Sequence, residues 1–299
     1  MQSIHPLTGN QISHSIEATV SAYLGKRWKV TEFRDMNEFA SHPSAVLSDG
    51  SLSVFAKFSA ATNAAEQFEI ELAGLRLLSE RSGVVTPTPI GILQVEAGSI
   101  LVLEAVTTVE RTPKQWRELG RTLAQIHQCK GSQFGLETNC YFGPLYQDNR
   151  PMHDWGSFYA ERRLWPRFAG AINAGRLPTE VIRQVEKFIL RIPQLCGPNV
   201  QPTLLHGDAQ NNNFISTENG TVVIDPAAYY GNPEMDLAYL DYFHPVTGDV
   251  FVGYQELMPI DPGFWERREL WRVYGYLAVV EVESAAFLPR LIQAIQRYL

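Results

Sequence analysis

The chain has too few cysteines, in the wrong arrangement, for a disulfide framework or a zinc site: Cys129, Cys140 and Cys196 are odd in number and form no CxxC pair. This usage fits a reducing compartment, and the expected location is cytoplasmic. A long uncharged apolar run is absent, and the opening MQSIHPLTGNQISHSIEATV lacks the basic start and apolar run of a secretion signal. No membrane partner is expected. Positive charge is also in short supply. With 25 Lys and Arg against 32 Asp and Glu, the formal charge is −7. Binding a nucleic-acid backbone usually needs a basic patch that releases counterions, so a nucleic-acid partner is not expected either. An acidic balance is kinder to a cationic small substrate, although most such carboxylates are simply solvated. Internal repeats and low-complexity tracts are missing too, so the organisation has to be read from periodicity and turn signals.

What remains is ordinary globular composition, 45% hydrophobic and 19% charged over 299 residues. That length suits two lobes sharing a cleft. Residues 45–58, AVLSDGSLSVFAKF, read as two strands joined at Asp49-Gly50, with Leu52, Val54, Ala56 and Phe58 on one face and Lys57 on the other. Residues 65–80 read as a helix with Phe68, Leu72, Leu75 and Leu78 in one stripe. At about 100° per residue Glu71 falls inside that stripe and needs a partner. Pro87 and Pro89 break the pattern, and ILVLEAV at 100–106 is a short apolar strand. The character then changes. Thr112 is an N-cap with Pro113 at the first helical position, followed by Trp116, Leu119, Leu123 and Ile126 on one face. A second helix is expected from Pro178 to about Cys196, and the last thirty residues read as helical. The expected division is 1–106 and 107–299, the second part mainly α.

The most informative stretch runs from Leu204 to Pro226, LLHGDAQNNNFISTENGTVVIDP, where two apolar runs flank a Glu218-Asn219-Gly220 turn. Counting outward from Asn219 sets Asn213 and Asp225 opposite each other across the hairpin base. An amide oxygen and a carboxylate held there, with Asp208 just upstream, make a hard-oxygen cluster suited to a magnesium ion that also carries nucleotide phosphates. Asp208 is then left to orient an acceptor hydroxyl and take its proton. Singly, His206-Gly207-Asp208 is an ordinary turn and Asp225-Pro226 an ordinary strand end. Lys57 alone is a solvated strand residue and Glu71 a snorkelling one. In combination, the order of a strand Lys, an inward helix Glu and the two downstream carboxylates matches the arrangement by which kinases anchor the α and β phosphates.

Several segments resemble the fructosamine (ketosamine) kinases, a branch of the aminoglycoside-phosphotransferase and choline-kinase-like group. They are FEIELAGLRLL at 68–78, ILVLEAV at 100–106, DWGSFYAERRLWPRF at 154–168, LLHGDAQNNN at 204–213, IDPAAYYGNPEMDLA at 224–238 and YQELMPIDPGFWERRELW at 254–271. The resemblance implies an α+β, two-lobed, protein-kinase-like fold: a small antiparallel β-sheet lobe over 1–106 that binds nucleotide, and a mainly helical lobe over 107–299 for catalysis and substrate. It implies an ATP- and Mg2+-dependent phosphotransferase acting on a hydroxyl of a small sugar amine. Its catalytic base would be Asp208 and its metal ligands Asn213 and Asp225. Lys57 and Glu71 would anchor phosphate, and Glu104, Ala105 and Val106 would form the adenine hinge. Asp236 matches a family residue that buttresses the catalytic loop, or is a helix-terminus carboxylate favoured by the dipole. His206 reads as loop support, and His127 as a packing histidine without chemistry. Trp155, Asp261 and Trp265 stand as acceptor-side candidates or as packing. The oligomeric state is left open.

Two departures stand out. Residues 31–46, TEFRDMNEFASHPSAV, contain no glycine where such kinases cover phosphate with a glycine-containing turn, which leaves side chains such as Ser41 or Ser44 for that task. Gln210 stands where fructosamine kinases usually carry a Trp. That favours a second reading, a kinase of an aminoglycoside, amino alcohol or secondary metabolite. A silent nucleotide-binding protein ranks below both. A metal-dependent hydrolase built on His206 ranks last, since no second clustered histidine accompanies it.

Overall fold

The computed structural model describes residues 5–37, 42–283 and 285–299. Its first long element, helix α1 (Asn10–Leu24), ends where Gly25 turns left-handed at φ 62°. It has no counterpart in the sequence reading above. Its signal is a stripe at four-residue steps: Ile16 and Val20 are fully buried, with Ile12 and Leu24 packed beside them. Strands β1 (Glu32–Asp35), β2 (Ser44–Ser48) and β3 (Ser53–Ser59) follow, then helix α2 (Ala64–Ser82) and strands β4 (Pro89–Val95) and β5 (Gly98–Glu104). The strands form an antiparallel sheet of order β1-β2-β3-β5-β4. The 31–46 segment is therefore not all connection: its residues 32–35 are an edge strand paired with β2.

Strand alternation sorts the two faces of this sheet. Ala45, Leu47, Val54, Ala56, Phe58, Ile100 and Val102 bury against α1 and Trp28. Leu101 and Leu103 face the other way, onto Phe68 of α2. Lys57 lies between Ala56 and Phe58, so the same alternation sends it to the α2 face, opposite Ser44 of β2 in register.

The rest is mainly helical. Helix α3 (Pro113–His127) opens with a reciprocal capping box between Thr112 and Gln115. The short pair β6 (Cys140–Phe142) and β7 (Leu145–Gln147) comes next, then α4 (Trp155–Phe158), a π-helical turn (Tyr159–Leu164), α5 (Trp165–Asn173) and α6 (Thr179–Leu195). Strands β8 (Thr203–Leu205), β9 (Phe214–Thr217), β10 (Gly220–Val223) and β11 (Tyr229–Gly231) precede α7 (Glu234–Tyr239), α8 (Gly248–Gln255), α9 (Phe264–Val282) and α10 (Leu288–Gln296). Helix α9 is the axis of this half. From Leu270 to Val280 every residue is buried, and α5, α7 and α10 pack on it. The π turn places Arg163 in the core, where its guanidinium lies over the rings of Phe158 and Tyr229 and bonds Asn149 Oδ1 at 2.6 Å. A buried cation is tolerated only with such partners. No described helix is long and apolar enough to cross a membrane.

Candidate active site

The loop between β8 and β9 is built by backbone constraints. Leu205 pairs with Tyr229 across β8 and β11. The chain then turns at Gly207, φ 81°, where a Cβ would stand 2.0 Å from the carbonyl oxygen of Ala227. Only glycine fits there. Buried Asp236, on α7, accepts from the amides of His206 (2.7 Å) and Gly207 (3.0 Å). Its other neighbour is His127 Nε2 at 3.1 Å, and His127 Nδ1 meets the Tyr254 hydroxyl at 2.8 Å. His127 is the satisfied buried histidine expected from the sequence, and it is also a link in the support of this loop.

His206 is excluded as a base by its bonds. Its Nε2 must donate to the Ile224 carbonyl (2.9 Å), while Nδ1 accepts from the Asp208 amide (3.2 Å), which fixes one neutral tautomer. Burial lowers the pKa of both His206 and His127.

The β9–β10 hairpin departs from the count made on sequence. Gly220 pairs with Thr217 and Val223 with Phe214, so the loop has two residues, Glu218 and Asn219, rather than three. Asn213 therefore faces Ile224, whose amide bonds the Asn213 carbonyl at 3.0 Å, and Asp225 lies one residue beyond. A one-residue slip would normally put Asp225 on the wrong face. Here Asp225 leaves the ladder at φ 50°, the one positive φ outside glycine among the described residues. Both side chains still line one cleft, of about 320 Å3, with Asp208, Lys57 and Glu71.

Within the cleft, Lys57 Nζ donates to both oxygens of Glu71 at 2.7 Å and to Asp225 Oδ1 at 2.8 Å. Glu71 is thus the inward carboxylate that the helix phase required, and Lys57 its partner. Burial alone would lower the Lys57 pKa, yet Asp225 and Glu71 hold it above its ordinary value. Burial pushes Glu71 up and opposes ionisation of Asp225, but the Lys57 charge keeps Asp225 below the usual range. One cation serves two carboxylates, and Asp225 is the one it keeps ionised. Asn213 Nδ2 donates to the Asp208 carbonyl at 2.8 Å, which commits its nitrogen and leaves its oxygen for another partner. Asp208 Oδ1 accepts from Gln210 Nε2 at 2.7 Å, and burial pushes its carboxyl up to about 7.

Other candidates fall elsewhere. Ser41 lies outside the described residues. Ser44 is buried in β2 with no bonding partner for its hydroxyl among the described residues, whereas His42 lines the cleft. Glu104, Ala105 and Val106 close the end of β5 outside the cleft lining. The Glu104 carboxylate accepts from the Tyr23 hydroxyl (2.9 Å), and the Ala105 amide donates to the Ser53 carbonyl, so that amide is not free for a base. Trp155 stacks on Phe158 and Tyr159 in the core, Asp261 bonds Arg267 and the Gly263 amide, and Trp265 packs on Phe251 and Phe264. None of the three lines the cleft. Sequence reasoning missed Arg111, which bonds the carbonyls of Asn211 (2.6 Å) and Phe214 (2.5 Å) and the Asn211 side chain (2.9 Å). An Arg just before a helix cap carries no local signal of such a task.

Residues 12–299 match the model of one protein family, described as fructosamine kinase. The chain belongs to the fructosamine kinase family. A probable ketoamine kinase of Synechocystis sp. is 31% identical over 268 residues, 88% of each chain. The ketosamine-3-kinase of Mus musculus is 28% identical over 251 residues, 75% of this chain and 81% of that protein. A solved structure assigned as a fructosamine-3-kinase from Thermobifida fusca has 30% identity and a TM-score of 0.81, covering 95% of this chain and 98% of its own. Gln210 has thus not removed the chain from the family. In place of an aromatic ring it sets an amide on the Asp208 carboxylate.

The residues present fit a magnesium ion. The ionised Asp225 carboxylate and the uncommitted oxygen of Asn213 are hard donors. Magnesium takes only one or two protein ligands and fills its octahedron with water and phosphate. Among the described residues no group of three or more His, Cys, Asp or Glu could hold a metal ion by itself.

Proposed function

We propose that this kinase transfers the γ-phosphoryl group of ATP to a hydroxyl of a ketosamine, with Asp208 as its base. The observation that carries the reading is the convergence of Lys57, Glu71, Asp208, Asn213 and Asp225 on one cleft, in a chain whose relatives are named for ketoamines and ketosamines. The Asp208 carboxylate takes the hydroxyl proton as that oxygen bonds to the γ phosphorus. The bond from phosphorus to the bridging oxygen breaks, and ADP leaves with the electron pair. A pKa near 7 suits this task, because the carboxyl is then a stronger base than an ordinary aspartate. Gln210 holds one Asp208 oxygen and leaves the other for the acceptor.

Lys57, kept in place by Glu71, contacts the α and β phosphates, and Val106 offers the hinge amide. Asn213 and Asp225 would hold Mg2+, which neutralises phosphate charge when bound. The two functional lobes divide between Val106 and Thr107, and the chain works in a reducing, cytoplasmic setting. The test is incubation with ATP, Mg2+ and a fructosamine or ribulosamine of a simple amine, with mass spectrometry for the phosphorylated product. Absence of product alongside turnover of an aminoglycoside or amino alcohol would move the assignment to that acceptor class.

A further inference from the structure

The ionised groups around the cleft leave one charge without a task. Lys57 is shared between Glu71 and Asp225, Asp208 is bonded by Gln210, and among the described residues His42 and Lys57 are the only basic side chains in the lining. The remaining carboxylate is Glu283, exposed at the C-terminal end of α9, with no ion pair among the described residues. Beside it in the lining are Val279, Val282 and the ring of Phe243. Val282 and Phe243 are 37% and 40% exposed, so their apolar surface is open to a ligand at the rim of the cleft. A carboxylate, an aromatic ring and two valines together make a chemical complement to an alkylammonium. The charge pairs with the cation, the ring face attracts it, and the valines cover its carbon chain.

We propose that Glu283, with Phe243 and Val282, forms an ammonium subsite that holds the protonated secondary amine of the acceptor while its sugar hydroxyl is presented to Asp208. The proposal rests on the kinase reading above and deepens it. It explains how a cleft that is otherwise built for phosphate distinguishes a sugar amine from a free sugar. Among the described residues no arginine lines the cleft to compete for Glu283. Attraction between unit charges about 4 Å apart near a protein surface is large enough for a tenfold or greater effect on affinity.

The experiment compares a fructosamine of propylamine with its ether analogue, in which oxygen replaces the amine, for the wild type, Glu283→Gln and Glu283→Asp. Both steady-state kinetics and calorimetric binding are measured. Glu283→Gln should raise the KM and Kd of the amine about tenfold or more with kcat unchanged, leave those of the ether unaltered, and Glu283→Asp should recover part of the loss. Equal effects on amine and ether, or no effect on either, would overturn the subsite. If neither compound is phosphorylated but the amine still binds more tightly in a Glu283-dependent way, the kinase assignment fails and the subsite stands. Since Glu283 is exposed and unpaired, its variants should melt with the wild type.

Discussion

At the residue scale the cleft is a problem in charge accounting. Asp208 illustrates it, because the burial that makes it a better base also makes its ionised form costly. Its carboxyl sits near 7 in the folded protein and at about 3.9 in an unfolded chain. The penalty is therefore absent below about pH 4, grows as pH rises, and is complete above about 7. Asp208→Asn should remove turnover by a factor of about 100 or more, keep nucleotide binding, and raise Tm more at pH 8 than at pH 5. Thermal melts at the two pH values, beside a coupled kinase assay, check both halves. A variant that lost activity and stability together would show a structural role instead. Lys57→Ala acts in the opposite direction. It leaves the part-buried Glu71 and the more exposed Asp225 without their cation, and since breaking a fully buried pair costs about 3–5 kcal/mol, a loss of roughly 1–3 kcal/mol is expected here. Denaturant unfolding should show that loss, and Lys57→Ala combined with Glu71→Ala should cost less than the sum of the two single changes.

At the scale of elements, the decisive object is the loop from His206 to Asn213 and what surrounds it. It is held by Asp236 of α7, by Arg111 ahead of α3, and by the contact of Gly207 with Ala227. Asp236→Ala would leave two buried amides without an acceptor, and each such group costs about 1–3 kcal/mol. A stability loss of roughly 2–5 kcal/mol is expected, with a lower kcat at permissive temperature because Asp208 is no longer held. Asp236→Asn, which keeps an accepting oxygen, should lose less by both measures. Of this framework the family resemblance supplied Asp236, while Arg111 and the contact of Gly207 with Ala227 were not legible in sequence. The helix phase placed Glu71 correctly because 3.6-residue periodicity is local. The hairpin count failed by one residue because the choice between a two- and a three-residue turn at Glu218-Asn219-Gly220 is settled by strand pairing. Helix α1 went unseen because its polar positions dilute a stripe that only the sheet beneath it makes apolar in effect.

At the scale of the whole molecule, an antiparallel sheet between α1 and α2 meets a helical body centred on α9, and the cleft draws on both. His127 and His206, fully buried in the helical body, are held neutral there. Their folded pKa values lie below the unfolded value of about 6.5. The stability tied to them is present above that pH and is lost as pH falls. Each pH unit should cost up to about 1.4 kcal/mol per histidine until the folded values are reached. Melts of the Asp208→Asn variant between pH 7.5 and 5, which remove the opposing contribution of Asp208, should show the fall, and it should flatten if His127 is also replaced by Asn. Removal of divalent cations should stop phosphoryl transfer without shifting the far-UV spectrum, since the cleft is assembled from the protein's own ion pairs.

The sequence by itself determined the chemical vocabulary: the Asp208, Asn213 and Asp225 cluster, a strand lysine with an inward glutamate, and the family to which these belong. Such information sits in residue types and short spacings, which periodicity and turn rules carry. Tertiary structure alone decided which groups meet. Strand register moved Asn213 from Asp225 to Ile224, the left-handed turn at Asp225 brought its carboxylate to Lys57, packing retired Trp155 to the core, and folding brought Gln210 onto Asp208 and the end of α9 into the cleft. Apart from the bond of Gln210 to Asp208, two residues away, those outcomes depend on contacts between more distant parts of the chain, whose geometry is set by the packing of whole elements.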